Sequence, residues 1–501
     1  MKIFSFIWRA LNNLRRAFQI LLMLLIIGLI FAGMSDTEFR IPSSAALVVA
    51  PTGVLVDQLA GDALERAVAE AQGTGVPQTL LTDVTDSLTA AARDERIKAV
   101  VLSLDGLTGG GLPKLQAVAE ALGAVRDAGK PIIAVGDGFT QDQYYLAAHA
   151  DEIYLHQLGL LYIDGYGYFR MYLKGIIDKL KVDLNVFRVG KYKSFVEPFI
   201  RDDMSAADRQ ASQRWLDTLW AAYKRDVSAA RGIEPEQIDN YANRFVEKLR
   251  ASRGNTAQVA LDSGLVDSLA GEQEIRERLV DLVGPSDYGD GNYSAVDFRD
   301  YLLHVRARQI DAPGKPKIGV LVASGQIVDG EASAGTIGGD SLAALIDQAT
   351  EDDSIQALVL RVDSPGGSMF ASEVVFDRLL QLKLKGKPLV VSMSTVAASG
   401  GYYIAMLADQ VWASETTITG SIGVGALVPT FQRSLDGVGI HIDGFGTTQL
   451  AGQFRPDRAL GEPAQEMLQL SVEEAYRLFV GQVAGARGMA FERPANPPQG
   501  R

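Results

Sequence analysis

The sequence predicts an α/β protein made of two tandem repeats with mainly parallel sheets, preceded by one N-terminal transmembrane helix. Three observations predict it. Apolar, β-branched runs alternate with helical patterns along most of the chain, and right-handed crossovers of that kind build parallel sheets. The alternation occurs twice: one offset of 258 positions carries IKAVVLSLD at 97–105 onto IQALVLRVD at 355–363, and LAAHADEIY at 146–154 onto IAMLADQVW at 404–412. Finally, residues 18–34 form an uncharged apolar run.

Residues 1–17 carry Lys2, Arg9, Arg15 and Arg16, and Asp36 and Glu38 follow the apolar run. The run reaches the lower bound of about 17 residues for a spanning helix. Basic residues before it and acidic ones after it orient the N-terminus to the cytoplasm and the bulk of the chain outside the membrane. The alternative is a cleaved signal peptide, but no small-x-small site followed by a plausible mature start stands near Ala32.

The first repeat is assigned to residues 45–283 and the second to 318–488. The same register aligns VDLNVF at 182–187 with IHIDGF at 440–445, and ARG ending at Gly232 and at Gly488 shifts it only to 256. Leu216, Leu219 and Tyr223 in one copy, and Val472, Ala475 and Phe479 in the other, keep one apolar helix face. Between the copies, 284–317 is rich in Gly, Asp and Pro and reads as a linker with a short helical piece. Past Gly232 the first copy continues through helical stretches at 236–249 and 272–283, with TAQVALDSGLVDSL between them at 256–269. The second copy is followed only by 489–501, where Pro494, Pro497 and Pro498 forbid a regular helix or central strand. A disordered tail and an apolar surface left open on the second copy are the expectation.

Composition narrows the function. At 501 residues and 47% hydrophobic content the chain can bury more than one core. Its net charge of -13 argues against nucleic acid, whose phosphates call for clustered Lys and Arg. There are no cysteines, so disulfides and thiolate metal sites are excluded. His149, His156, His304 and His441 are scattered without metal-ligand spacing, and neither a metal nor a cofactor is expected.

Two short runs carry the chemistry. AASGGYY at 397–403 surrounds Ser399 with small residues between a strand-like and a helix-like stretch, a setting from which a serine can project at a tight turn. Gly400 lets a backbone N–H approach a substrate oxygen, and a helix N-terminus favours negative charge there. DSPGGS at 363–368 also follows an apolar strand, and its pair Gly366 and Gly367 offers a second N–H to the same oxyanion. The repeat register shows what each copy lacks. Ser399 falls on Gln141 in the first copy, and Lys193 falls on Ala451 in the second. One copy has the serine and the other the lysine, which predicts a composite site at their interface. A binding module would have no need of that complementarity. A lysine serves as general base when its amine is neutral, and burial lowers its pKa; Tyr192, Phe195, Val196 and Phe199 are candidates for its apolar wall.

GKYKSFVEPFIRDDMS at 190–205, RVDSPGGS at 361–368, AASGGYYIA at 397–405 and TGSIGV at 419–424 together resemble the signal peptide peptidases of the long, duplicated bacterial type. These are serine proteases of the ClpP/crotonase-like fold with a Ser/Lys dyad. The resemblance implies Ser399 as nucleophile, Lys193 rather than Lys191 as base, and Ser421 as the group that orients the lysine; Ser421 corresponds to Ile163 in the first copy. Gly367 and Gly400 are the expected oxyanion donors. Glu197 reads as a structural or surface group.

The expected function is a membrane-anchored serine endopeptidase, on the periplasmic side of the bacterial inner membrane, that degrades cleaved signal peptides and other short apolar peptides. The resemblance also implies a homo-oligomer, a tetramer. Two other readings stay open: a crotonase-type acyl-CoA hydrolase or isomerase, and a catalytically inactive envelope scaffold.

Overall fold

The computed structural model describes residues 19–23, 40–287, 289, 291–308 and 315–489. Residues 19–23 of the expected anchor are helical; the rest of that segment, and the tail beyond Met489, lie outside the described residues. Among the described residues, no helix is long and apolar enough to cross a membrane.

In the first half, Ala45–Val49, Ile97–Ser103, Ile132–Gly136 and Glu152–Leu155 pair in that order, all parallel. Ile97–Ser103 is buried at every residue but Lys98 and Ser103. Cover on both faces is why its residues 99–102 are apolar without alternation. Helices Leu81–Arg93 and Leu112–Asp127 contribute Leu88, Leu115 and Leu122 to one face. On the other face Leu279 and Val283, from the helix Glu272–Val283, pack on Ala46, Ala99, Val101 and Ile133. The strand Ser268–Leu269 closes the edge beyond Glu152–Leu155.

The second half repeats the strand order with Lys317–Ser324, Ile355–Ser364, Leu389–Ala398 and Gln410–Trp412. Ile418–Gly420 also pairs with the far end of Leu389–Ala398. Gly339–Glu351 and Met369–Leu384 cover one face through Leu342, Ile346, Val375 and Leu379. On the opposite face, where the first half carries Glu272–Val283, Ile318 is 66% and Val320 63% exposed.

The stretch read as a linker does more than connect. Within it Ala295–Asp297 adds a parallel edge strand beside Ala45–Val49, and the helix Phe298–Ala307 buries Phe298 and Tyr301 in the first core. The helix falls where a short helical piece is expected, while the three-residue strand is too short for hydrophobic periodicity to stand out against the flanking Gly and Pro.

The halves are joined by an antiparallel ribbon in which Asp183–Val189 pairs with Val424–Thr430, Val189 lying opposite Val424 and Asp183 opposite Thr430. Phe187 and Val189 pack against Leu460, Ala464, Val472 and Tyr476, so a strand of the first half completes a core of the second. The matching residues 440–445 form no strand and are exposed. The duplicated segment therefore crosses over in one direction only.

Candidate active site

Ser399 stands between the strand Leu389–Ala398 and the helix Gly400–Ala405. Its backbone has φ 55° and ψ -119°, a strained turn of the kind that exposes a nucleophile. The turn is clamped from both sides. Ser399 N–H donates to the Gly420 carbonyl at 2.8 Å, and Tyr403 N–H donates to the Ser399 carbonyl at 2.9 Å.

The small residues beside it are there because the backbones nearly touch. Gly366 has φ +94°, and a Cβ on it would stand 2.6 Å from Gly400 N and 2.7 Å from Ser399 Cβ. A Cβ on Gly367 would stand 1.9 Å from the Ile327 carbonyl oxygen, and one on Gly400 would stand 3.2 Å from Gly367 N. Ile327 N–H donates to the Gly366 carbonyl and Ser368 N–H to the Ile327 carbonyl, which leaves the Gly367 N–H outside that ladder. Gly400 N–H opens a helix and has no intrahelical acceptor.

The ribbon brings the lysine to the serine. Lys193 follows Asp183–Val189 on one strand, and Ser421 precedes Val424–Thr430 on its partner. Lys193 Nζ lies 2.8 Å from Ser399 Oγ, and 3.4 Å from both Oγ and the carbonyl oxygen of Ser421. Ser421 is held there because Ile418–Gly420 pairs with Val396, Ala397 and Ala398, immediately before Ser399. Burial pushes the Lys193 amine down to about 8, since desolvation disfavours its charged form.

Two of the residues expected to wall the lysine differ in burial. Val196 is buried, but Phe195 is 37% exposed and its ring lies over Gly425. The lysine stem instead runs along Gly423, where a Cβ would stand 3.3 Å from Lys193 Cδ, and along Gly190, where it would stand 3.6 Å from Lys193 Cβ. Sequence reasoning missed Gly423, although it lies inside the TGSIGV run. Glu197 is buried and accepts the Ser205 N–H at 3.0 Å. Asp208 accepts from Ser194 Oγ at 2.7 Å and pairs with Arg170 at 3.3 Å, which ties down the residue next to the lysine.

The depressed lysine has a cost in stability. Its ordinary pKa is 10.5 and its folded value about 8, so between those pH values the unfolded chain binds more protons and stability rises with pH. Below about pH 8 the full penalty applies. Lys193→Met is therefore expected to raise the melting temperature at pH 7, by a free energy on the order of 2–3 kcal/mol, and to do so far less at pH 10.5. Melts at both pH values check this; an equal gain at each would show that the charge is not the cause.

The counterparts in the other copy serve structure. Gln141 opens the helix Gln141–Ala147, and its Oε1 accepts the Gly165 N–H at 2.7 Å.

The model of Peptidase family S49 matches residues 124–285 and 381–500, one segment in each half and more than half of the chain together. The chain belongs to peptidase family S49. The first matched segment holds Lys193, and the second holds Ser399, Gly400 and Ser421. This S49 serine peptidase is 39% identical over 505 residues to Protease 4 of Salmonella typhi, covering 99% of this chain and 81% of that protein. It is 37% identical to Protease 4 of Haemophilus influenzae, covering 100% of this chain and 82% of the relative. A chloroplastic serine protease SPPA of Arabidopsis thaliana is 26% identical over 86% of this chain and 62% of its own length.

Proposed function

We propose that this S49 peptidase is a Ser/Lys endopeptidase, built from two ClpP/crotonase-like repeats, that degrades cleaved signal peptides and other short apolar peptides. The observation that carries the proposal is the 2.8 Å approach of Lys193 Nζ to Ser399 Oγ across the two halves. In the first step the neutral Lys193 amine takes the Ser399 hydroxyl proton as Oγ attacks the scissile carbonyl carbon. The carbonyl oxygen becomes an oxyanion and accepts hydrogen bonds from the Gly367 and Gly400 N–H groups. Collapse breaks the C–N bond, and the Lys193 ammonium returns its proton to the leaving amine. Water then attacks the acyl-serine, with Lys193 again the base, and frees the new carboxyl end. Ser421 holds the lysine in reach of both partners.

The proposal includes a single N-terminal membrane anchor at 18–34, catalytic halves on the periplasmic side of the bacterial inner membrane, and a tetrameric homo-oligomer. The charge asymmetry around residues 18–34 supports the orientation. An anchored site stays close to the bilayer surface, where cleaved signal peptides lie. A fluorophosphonate probe, followed by peptide mapping, tests the serine, and side-by-side assays with an apolar peptide and an acyl-CoA test the substrate. Labelling of Ser399 with cleavage of the peptide alone is expected. Turnover of only the acyl-CoA would replace the reading with a crotonase-type one, and no labelling or turnover would leave a scaffold.

A further inference from the structure

Beneath the oxyanion loop lies a buried charge exchange that the dyad does not use. The first half contributes Asp57 and Lys114, the second Arg361 and Asp363, the last two from the RVDSPGGS run. The two closest ion pairs of the exchange cross between halves. Lys114 Nζ lies 2.6 Å from Asp363 Oδ2, and Arg361 Nε lies 3.0 Å from Asp57 Oδ1. Lys114 is also 3.7 Å from Asp57, and the side chains of Lys114 and Asp57 are only 4% and 6% exposed. Arg361 further donates to Ser392 Oγ at 2.8 Å and Ser394 Oγ at 3.0 Å, which ties that pair to the strand framework.

Lys114 bears on the site itself. Besides Asp363 it donates to Thr395 Oγ1 at 2.8 Å and to the Gly110 carbonyl at 3.2 Å. Asp363 accepts the Val396 N–H through its other oxygen at 3.0 Å. One carboxylate thus links the start of the DSPGG loop, which ends at Gly367, to the strand that ends one residue before Ser399. The lysine fastens both to the helix Leu112–Asp127 of the other half. At this junction the main-chain bridging of Ile355–Ser364 to Leu389–Ala398 is irregular between Val362 and Ser364, so side chains take over the tie.

We propose that Lys114 is a positioning residue for the oxyanion loop: by holding Asp363 against Val396 and Thr395, it sets the Gly367 N–H relative to Ser399 and makes that setting depend on the docking of the first half. The proposal rests on Ser399 and Gly367 acting as proposed above. Without Lys114 the Asp363 carboxylate, whose side chain is 19% exposed, loses its nearest cation, and the tie between the loop and the strand is loosened. A shift of about 1 Å in a catalytic group can cost about 100-fold in rate.

The test is steady-state peptide cleavage by the full-length protein carrying Lys114→Met, Asp363→Asn, both together, or Thr395→Val. The expected result for Lys114→Met is a kcat lower by about 10- to 100-fold, with KM within about twofold and the midpoint of the pH profile unmoved, since Lys193 is untouched. The double variant should be no worse than Lys114→Met, because the two residues act as one unit. Should Lys114→Met not fold, Thr395→Val, which removes one anchor of the ammonium without changing charge, is expected to show a smaller loss with the same split between kcat and KM. Unchanged kcat, a parallel rise in KM, or losses that multiply in the double variant would overturn the proposal. If wild-type protein neither labels at Ser399 nor cleaves peptide, the functional reading fails first; if it does both and Lys114→Met matches it, only the positioning role fails.

Discussion

Ser399→Ala and Lys193→Ala are each expected to lower peptide hydrolysis by about 10⁴- to 10⁶-fold while leaving the chain folded. In the proposed mechanism Ser399 supplies the atom that becomes acylated, and its Oγ lies 2.8 Å from the Lys193 amine. Lys193 is the base of that proposal, and Ser421, at 3.4 Å, is itself uncharged and cannot replace it. Serine and lysine act in one step, so the double variant should be no slower than either single one. Circular dichroism and gel filtration check the fold, and kcat/KM on one apolar peptide reads the chemistry. Wild-type turnover by Lys193→Ala would remove the lysine from the mechanism, and a double loss equal to the product of the two single losses would mean that the residues act in separate steps.

The pH profile is the second large effect. Only the neutral amine accepts a proton, and burial holds Lys193 at about 8. Activity is therefore expected to climb about tenfold per pH unit below that value, because the neutral fraction does so, and to level off above it. Ser421→Ala removes one neighbour of the amine and leaves the Ser421 carbonyl contact in place. It is expected to lower the plateau by about tenfold, in line with the loss of one hydrogen bond to a charged or polar partner, and to displace the midpoint. A profile flat from pH 6 to pH 9, with chemistry shown to be rate-limiting by single-turnover kinetics, would rule out a lysine base.

Much of the architecture is legible along the chain, and for local reasons. Buried parallel strands appear as apolar, β-branched runs, so AVVL within Ile97–Ser103 and ALVL within Ile355–Ser364 stand out, and one offset superimposes them. Ser399 is conspicuous because a turn that brings Gly366, Gly367 and Gly400 within backbone contact excludes side chains at those positions. The complementary losses at Gln141 and Ala451 point to a site shared by the two copies. Periodicity was less informative where elements are short. The strand Ala295–Asp297 lies inside a stretch whose Gly and Pro content reads as a connector with only a short helical piece.

What the sequence by itself determined was the duplication, the core strands, the turn at Ser399 and the pairing of a serine in one copy with a lysine in the other, since each is written in neighbouring residues or in a fixed repeat. The tertiary structure alone decided how Lys193 reaches a serine 206 positions away. It does so by a one-way ribbon, a stem channel along Gly423, and a charge exchange between Asp57, Lys114, Arg361 and Asp363. Contacts between residues so far apart carry no period and no local propensity; they exist only once two separately encoded cores have packed against each other.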